Sequence, residues 1–134
     1  MSDTETLRQI LTMSRTIAIV GLSADHRRPS YAVASYLQAR GYRIIPVNPR
    51  YEEILGERCY PSLTDIPEMV DLIDVFRRTE DVAPFARQAV EIGARTLWQQ
   101  MGIANEEADR IAREAGLGSV MNRCVKTDHM RLIG

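Results

Sequence analysis

The segment from Thr16 to Pro49 constrains the fold more than any other part of the chain. It opens with Thr16 to Val20, a β-branched apolar run without polar alternation, which is typical of a strand buried on both faces of a parallel sheet. A turn follows, and then a helical pattern that we expect to begin at Ser30 and to end at Gly41. The apolar run from Tyr42 to Asn48 predicts a second, parallel strand. The segment therefore forms a strand-helix-strand unit.

The rest of the chain continues this alternation of strands and helices. The further strands are predicted at Asp71 to Phe76, Arg95 to Gln100 and Gly118 to Asn122. The further helices are predicted at Ser2 to Met13 (within residues 1–14, packed on the sheet edge), from Thr79 or Glu80 to Ile92, at Asn105 to Ala115, and at Lys126 to Leu132. The proline-rich stretch from Pro49 to Pro67 is a long structured loop with room for a turn of helix at Glu52 to Leu55.

This alternation predicts an α/β fold: a Rossmann-like, doubly wound, five-stranded parallel sheet in one domain covering residues 1–134. Numbering the strands along the chain, we expect the order 3-2-1-4-5, which puts the switch point between the first and fourth strands. Pro46 conflicts with that order, because the second strand would be internal and a proline there lacks the N–H that a neighbour needs. We expect Pro46 near the strand end or at a bulge.

Composition excludes several functional classes. The 134 residues carry a net charge of −1, so we expect binding neither to nucleic acid nor to a membrane surface. Cys59 and Cys124 form neither a disulfide framework nor a zinc pattern, and His26 lacks a spaced second ligand, so we expect no metal site. The N-terminus does not resemble a signal peptide, and no apolar run reaches membrane-spanning length. We expect a cytoplasmic protein.

The turn after the first strand is the first candidate binding element. Gly21 permits close approach of a ligand, and Ser23 offers a hydroxyl group. Ser30 opens the helix, where free N–H groups and the helix dipole favour an anion. Arg27 and Arg28 add positive charge to the same loop. A plain strand-to-helix turn remains the alternative, because this sequence departs from the GxGxxG fingerprint.

The end of the second strand discriminates between ligands. A domain that prefers NAD has Asp or Glu there, whereas this chain has Asn48, Pro49 and Arg50. A neutral residue followed by a cation suits a phosphorylated ribose, which describes both the 3′-phosphate of coenzyme A (CoA) and the 2′-phosphate of NADP. The same residues also suit a simple turn.

Other strand ends supply weaker candidates. Gln100 alternates with Gln99 and is the better placed of the two to reach a pocket at the strand end. Asn122 could polarise a thioester carbonyl. Cys124 and His129 are five residues apart on a helix, roughly 140° around its axis, which is poor geometry for a nucleophile and its base.

Several motifs in order carry a family resemblance: IVGLSADHRRPSYAV, GYRIIPVNPRYEEILGERCYPSLTDIP, DLIDVFRR, LWQQMGIANEEA and VMNRCVKTDH. From about Thr16 onward the chain resembles the small, single-domain CoA-binding family, whose fold is similar to the N-terminal domain of the succinyl-CoA synthetase α subunit. The resemblance implies CoA binding. It also implies that Val75, Phe76 and Arg77 lie near the adenine and the ribose of the ligand. It implies no reaction, because the synthetase's phosphohistidine segment has no counterpart here.

We therefore expect a non-catalytic carrier, sensor or regulatory module that binds CoA or a short acyl-CoA, with an unidentified protein partner. The alternative is an NADP-dependent oxidoreductase domain that uses the same site. The expected ligand-binding residues are Gly21, Leu22, Ser23, Arg27, Arg28, Ser30, Asn48, Pro49, Arg50, Val75, Phe76, Arg77, Gln100 and Asn122.

Overall fold

The computed structural model describes residues 3–134. Its strands are β1 (Thr16–Val20), β2 (Arg43–Val47), β3 (Glu53–Ile54), β4 (Glu57–Arg58), β5 (Leu72–Val75), β6 (Thr96–Gln99) and β7 (Gly118–Val120). Its α-helices are α1 (Thr4–Met13), α2 (Pro29–Ala39), α3 (Ala83–Glu91), α4 (Glu106–Glu114) and α5 (Val125–Leu132), with short 3₁₀ turns at Leu63–Asp65 and Thr79–Asp81. The predicted Rossmann-like α/β fold with a five-stranded parallel sheet is confirmed.

The predicted strand order is wrong. The sheet runs β2-β1-β5-β6-β7, which is 2-1-3-4-5 when only its own five strands are numbered along the chain. The third strand thus pairs with the first, Ile17 opposite Leu72 and Val20 opposite Val75, and does not lie outside the second. The switch point therefore falls between β1 and β5, so the ends of these two strands frame the cleft where ligands bind in such sheets.

This order also explains Pro46. Because β2 is an edge strand of the five-stranded sheet, only one of its sides pairs with β1. Its other side meets Tyr60, whose N–H donates to the Pro46 carbonyl at 3.0 Å, and the Asn48 N–H donates back to the Tyr60 carbonyl at 2.9 Å. The proline nitrogen points to the same outer side and precedes both bonds, where a missing N–H costs little. Pro46 is also the fourth of the five residues of β2, so it lies near the strand end, as we expected.

Helices cover both faces of the sheet, as the doubly wound pattern requires. Leu7 of α1, Leu37 of α2 and Val125 of α5 pack in one core cluster with Trp98 and alternate residues of the strands. The other face carries α3 and α4, which contribute small residues such as Ala86 to the second cluster. The first helix therefore lies on a sheet face with α2 and α5, and not on the sheet edge as we had expected.

The loop between β2 and β5 contains a hairpin in place of the expected turn of helix. Glu53 pairs with Arg58, and Ile54 with Glu57, in antiparallel register. Leu55 and Gly56, which connect them, both have positive φ angles of 57° and 75°. This is the conformation of the tight two-residue turn that matches the twist of a hairpin, and it excludes an α-helical turn here. The hairpin lies beside the carboxyl end of β2 through the Tyr60 bridge to Val47.

No helix within residues 3–134 is long and apolar enough to cross a membrane.

Candidate functional site

A cavity of about 570 Å³ opens at the carboxyl ends of β1, β2 and β5, at the switch point of the sheet. Its walls come from the β1–α2 turn, the segment after β2 and the segment after β5. The lining residues are Gly21, Ser23, Arg28, Pro29, Ser30, Asn48, Pro49, Arg50, Tyr51, Phe76 and Arg77. Residues from three separate predicted motifs therefore meet in one place.

The β1–α2 turn is held by its own serine side chains. The Ser23 N–H donates to the Ser30 hydroxyl at 3.1 Å, and the Asp25 N–H donates to the Ser23 hydroxyl at 3.0 Å. Ser30 is not the N-cap that we predicted, because Pro29 takes the first helical position, where proline is favoured, and Arg28 becomes the N-cap. Arg28 makes no side-chain capping bond, so no side chain covers the helix N-terminus that faces the cavity.

Three arginines give the cavity its charge. Arg28, Arg50 and Arg77 are exposed, and none of them forms an ion pair among residues 3–134. No carboxylate side chain is among the lining residues. Together with the uncovered N-terminus of α2, these guanidinium groups make the cavity suited to an anion with several charges.

Arg27, by contrast, forms an ion pair with Asp25. Its guanidinium donates to both carboxylate oxygens of Asp25 at 3.1 Å, and this contact holds the pKa of Asp25 below its usual value. The side chain points into solvent, with 91% of its surface exposed. Arg27 is therefore outside the cavity, and Arg28 is the cationic residue that this loop presents.

Asn48 fixes the second wall of the cavity. Its side-chain nitrogen donates to the Leu22 carbonyl at 3.0 Å, and its Oδ1 accepts the Arg50 N–H at 3.0 Å. The amide therefore ties the segment after β1 to the segment after β2 and holds Arg50 in a turn. The two readings of Asn48 and Pro49, a turn or a ligand-binding wall, are compatible, because the turn places both residues in the lining.

A smaller apolar cavity of about 170 Å³ adjoins the main one. It shares Gly21, Asn48, Pro49 and Arg77 with the larger space. Its remaining walls are hydrophobic, formed by Val20, Val47, Pro61 and Phe85. A flat, largely apolar group of a ligand could therefore lie here while its charged part contacts the arginines.

Four other predicted site residues also lie outside both the main cavity and the smaller one. Leu22 and Val75 are fully buried core residues. The Gln100 side chain is buried and accepts the Val125 N–H at 3.0 Å, and the Asn122 Oδ1 accepts the Gly102 N–H at 2.7 Å. These last two residues are at strand ends, as predicted, but β6 and β7 lie away from the switch point. The wrong strand order had brought them too close to the binding loop.

The sequence interpretation missed Pro29 and Tyr51, which directly neighbour predicted lining residues in the chain. It also missed Asp74, a fully buried carboxyl in the middle of β5. The signal was a charged residue within the otherwise apolar strand LIDV. Trp98, the only tryptophan of the sequence, is fully buried in the core.

The His129 ring is hydrogen-bonded to a neighbouring tyrosine. Its Nδ1 is hydrogen-bonded to the Tyr36 hydroxyl at 2.8 Å, and burial, with a smaller effect of Arg40, lowers its pKa. Within residues 3–134, no group of three or more His, Cys, Asp or Glu side chains is arranged to hold a metal ion.

Comparison with known proteins identifies the family. The family model described as "CoA binding domain" matches residues 15–130. The chain is 40% identical over 123 residues to "Uncharacterized protein YneT" of Bacillus subtilis (strain 168), covering 92% of this chain and 91% of that one. It is also 34% identical over 62 residues to "Acetate--CoA ligase [ADP-forming]" of Methanocaldococcus jannaschii, a match that covers 46% of this chain but only 9% of the ligase.

Solved structures agree with this assignment. A "hypothetical protein from Pyrococcus horikoshii OT3" superposes with a TM-score of 0.96 at 42% identity, over 99% of this chain and 94% of that chain. The matched segment of the family model includes every residue that lines the cavity. The chain therefore belongs to the CoA-binding domain family.

Proposed function

We propose that this protein binds CoA or a short acyl-CoA, in the cytoplasm, as a non-catalytic carrier, sensor or regulatory module. The observation that carries the proposal is the cavity with three arginines, none of which forms an ion pair within residues 3–134, beside a helix N-terminus whose N-cap residue makes no side-chain capping bond. CoA has a pyrophosphate and a 3′-phosphate, and these separated charges suit cations that come from separate loops. Membership of the CoA-binding domain family supports the same ligand.

The arrangement of the walls suggests how CoA would lie. The pyrophosphate would bind at the N-terminus of α2, near Ser23 and Arg28. The phosphorylated ribose would contact Asn48 and Arg50, and the adenine would lie toward Phe76 and Arg77 and enter the adjoining apolar cavity. Each part of the ligand thus meets a wall of matching chemistry.

The character of the lining supports a binding role without catalysis. The residues around the main cavity include no histidine, cysteine or carboxylate side chain. Such groups usually supply the nucleophile or the general acid and base of an acyl-transfer reaction. The competing hypothesis of an NADP-dependent oxidoreductase receives no support from the family or from the relatives.

The test compares ligands that differ by single chemical groups. Isothermal titration calorimetry with CoA and with dephospho-CoA measures the contribution of the 3′-phosphate, which we expect to strengthen binding about tenfold or more. Arg50→Ala should reduce the affinity for CoA to that for dephospho-CoA. Arg110→Ala, an exposed position on α4 away from the cavity, is the matched control and should change neither affinity. Equal affinities of the wild-type protein for the two ligands would contradict the proposed role of Arg50.

A second measurement addresses the identity of the ligand directly. Native mass spectrometry of freshly purified protein should show a retained mass of CoA or of an acyl-CoA. Retention of NADP would overturn the proposal.

A further inference from the structure

The turn that carries Arg50 begins at the main-chain carbonyl of Asn48. Pro49 and Arg50 are its two central residues, and the Tyr51 N–H donates to the Asn48 carbonyl at 3.5 Å. Proline is favoured at the first central position of such a turn. The closing hydrogen bond is long, so it holds the direction of this carbonyl only weakly.

A second donor contacts the same carbonyl. The Cys59 S–H donates to the Asn48 carbonyl oxygen at 3.3 Å. Cys59 is 6% exposed, and burial raises the pKa of its thiol, so the group keeps its proton at pH 7 and remains a donor. Because Pro49 has no N–H, this carbonyl is the only hydrogen-bonding group of the peptide that joins Asn48 to Pro49. The direction of that peptide therefore depends on the cysteine.

Main-chain hydrogen bonds on both sides fix the position of Cys59. Its own N–H donates to the Glu52 carbonyl at 2.8 Å, which closes the segment that contains the β3–β4 hairpin. Its neighbour Tyr60 exchanges two main-chain hydrogen bonds with Pro46 and Asn48 at the edge of the sheet. The thiol is thus directed at the Asn48 carbonyl by main chain that is anchored to β2.

The hairpin is also anchored away from the cavity. At its tip, the Gln38 side-chain nitrogen on α2 donates to the Leu55 carbonyl at 3.1 Å. In its second strand, Glu57 accepts a hydrogen bond of 2.6 Å from Arg43, the first residue of β2. The segment that positions Cys59 is therefore attached to a helix and to the sheet, and it supports the turn from outside.

We propose that Cys59 is a positioning residue of the binding site: its S–H group holds the Asn48 carbonyl, and this bond sets the turn that directs Arg50 toward the 3′-phosphate of CoA. Cys59 lines neither the main cavity nor the smaller apolar one. It acts on the ligand only through Asn48 and Arg50. The identity of the ligand rests on the proposed function, whereas the effect of Cys59 on the turn is a property of the protein alone.

Two other roles of Cys59 make different predictions. The residue belongs to the same core cluster as Val120, so it could serve packing alone. It also lines a further cavity of about 310 Å³ that shares Asn48, Pro49 and Tyr51 with the main one, so it could contact a ligand directly. Serine keeps a donor in nearly the same volume, whereas alanine and valine have none. These substitutions separate the three roles.

Amide hydrogen exchange followed by NMR tests the effect on the turn without any ligand. In Cys59→Ala the amide protons of Arg50 and Tyr51 should exchange about fivefold faster than in wild type, because one weak hydrogen bond is lost. Cys59→Val, which leaves no cavity but has no donor, should show the same increase, and Cys59→Ser should match wild type. Rates in Cys59→Ala and Cys59→Val equal to those of wild type would overturn the proposal for any ligand.

The matched control for packing is Val120→Ala. Val120 is 1% exposed in β7, and its truncation removes methyl groups from the cluster that contains Cys59. The exchange of Arg50 and Tyr51 should stay at the wild-type rate in this variant, because β7 lies at the far edge of the sheet from β2. An equal increase in Val120→Ala and Cys59→Ala would assign the effect to packing and would refute the positioning role.

Calorimetry measures the consequence for binding. The affinity for CoA should fall about fivefold in Cys59→Ala, while the affinity for dephospho-CoA should stay at the wild-type value, because only the 3′-phosphate contacts Arg50. Cys59→Ser should bind both ligands like wild type. An equal loss for both ligands in Cys59→Ala would indicate a direct contact with the ligand or a general loss of structure, and it would exclude action through Arg50.

The two experiments separate this inference from the proposed function. If wild type bound CoA and dephospho-CoA equally, the proposed contact between Arg50 and the 3′-phosphate would fail, and the exchange rates would still decide whether Cys59 holds the turn. If wild type discriminated between the ligands and the exchange rates and affinities were unchanged in Cys59→Ala, only the role of Cys59 would be refuted.

Discussion

Gly21 lies against the main chain of Phe76, where β1 and β5 end side by side. The Phe76 N–H donates to the Val20 carbonyl at 2.8 Å, and a Cβ added to Gly21 would overlap the Phe76 carbonyl oxygen. Gly21 also has a positive φ of 83°. The strand pairing therefore requires glycine here even without a ligand.

This contact predicts an unusually costly glycine substitution. Gly21→Ala should destabilise the protein by about 1 kcal/mol more than Gly93→Ala, because both residues have positive φ but Gly93 has open space around its Cβ position. Urea unfolding followed by circular dichroism measures both free energies of unfolding. Equal losses would mean that the main chain at Phe76 moves aside freely.

A second prediction concerns the amide that links the two cavity walls. Asn48→Asp replaces the donor to the Leu22 carbonyl with a carboxylate oxygen, so we expect a loss of about 1 to 3 kcal/mol in the free energy of unfolding at pH 7. Protonation of the new carboxyl restores a donor, so the loss should shrink as the pH falls. Chemical unfolding at several pH values measures it.

The control for this prediction is Asn122→Asp. The Asn122 side-chain oxygen accepts the Gly102 N–H, and a carboxylate can accept the same bond. A positive φ of 58° is also tolerated by aspartate. A similar loss in both variants would show that the direction of the Asn48 hydrogen bond is unimportant.

Local sequence patterns predicted the elements that depend on local chemistry. The Thr16–Val20 strand and the helix after it were found because apolar runs and turn residues report directly on neighbouring backbone conformation. The hairpin around Leu55 and Gly56 was missed, because its two-residue strands are too short to show a period. The strand order was missed because it depends on which distant segment pairs with β1, and no local pattern records that pairing.

The candidate site was also predicted only in part: residues near strand ends were found from local sequence, whereas contacts between distant segments were not. Arg50 and Arg77 line one cavity, because each lies within three residues of the end of a strand whose carboxyl end borders it. Arg27 and Arg28 were indistinguishable by sequence, and only the ion pair with Asp25 separates them. The hydrogen bond from the Val125 N–H to Gln100 Oε1 joins two distant segments, and no local pattern records it.

Asp74 predicts a specific dependence of stability on pH. Its pKa in the folded protein is raised by burial above the usual 3.8, so the folded state binds its proton more tightly than the unfolded state. The stability contributed by that proton is present below pH 3.8 and is lost as the pH rises toward the folded pKa. Asp74→Asn cannot titrate, so its free energy of unfolding relative to wild type should increase with pH above 3.8.

Asp3 gives the matching control of opposite sign. Its carboxylate caps α1 by accepting the Thr6 N–H at 2.8 Å, and that bond lowers its pKa. Asp3→Asn should therefore lose stability relative to wild type as the pH rises toward 3.8, which is below the range in which Asp74→Asn changes. Urea unfolding of the three proteins from pH 3 upward measures both slopes. If the difference in free energy of unfolding between Asp74→Asn and wild type did not change with pH, the pKa of Asp74 would be the same in the folded and unfolded states.

His129 predicts a second pH effect. Burial, with a smaller contribution from Arg40, holds its pKa below 6.5, so the folded state binds this proton less tightly than the unfolded state. The stability contributed by neutral His129 is present above pH 6.5 and is lost as the pH falls through the folded pKa. His129→Gln should remove this part of the acid destabilisation, as measured by unfolding between pH 7 and pH 5. If the free energy of unfolding of His129→Gln fell with pH as steeply as that of wild type, His129 would not be the cause of this acid destabilisation.

The last prediction separates binding from catalysis with acetyl-CoA as the probe. The lining of the main cavity includes no histidine, cysteine or carboxylate side chain, so it lacks the groups that usually activate a nucleophile in acyl transfer. We expect at most one equivalent of CoA to be released per protein, measured with a thiol-reactive dye after the protein is removed. Arg50→Ala provides the control for binding, because it should weaken retention of acetyl-CoA without creating turnover. Steady release of many equivalents by wild type, abolished in Cys124→Ser, would make this protein a thioesterase and would refute the non-catalytic proposal.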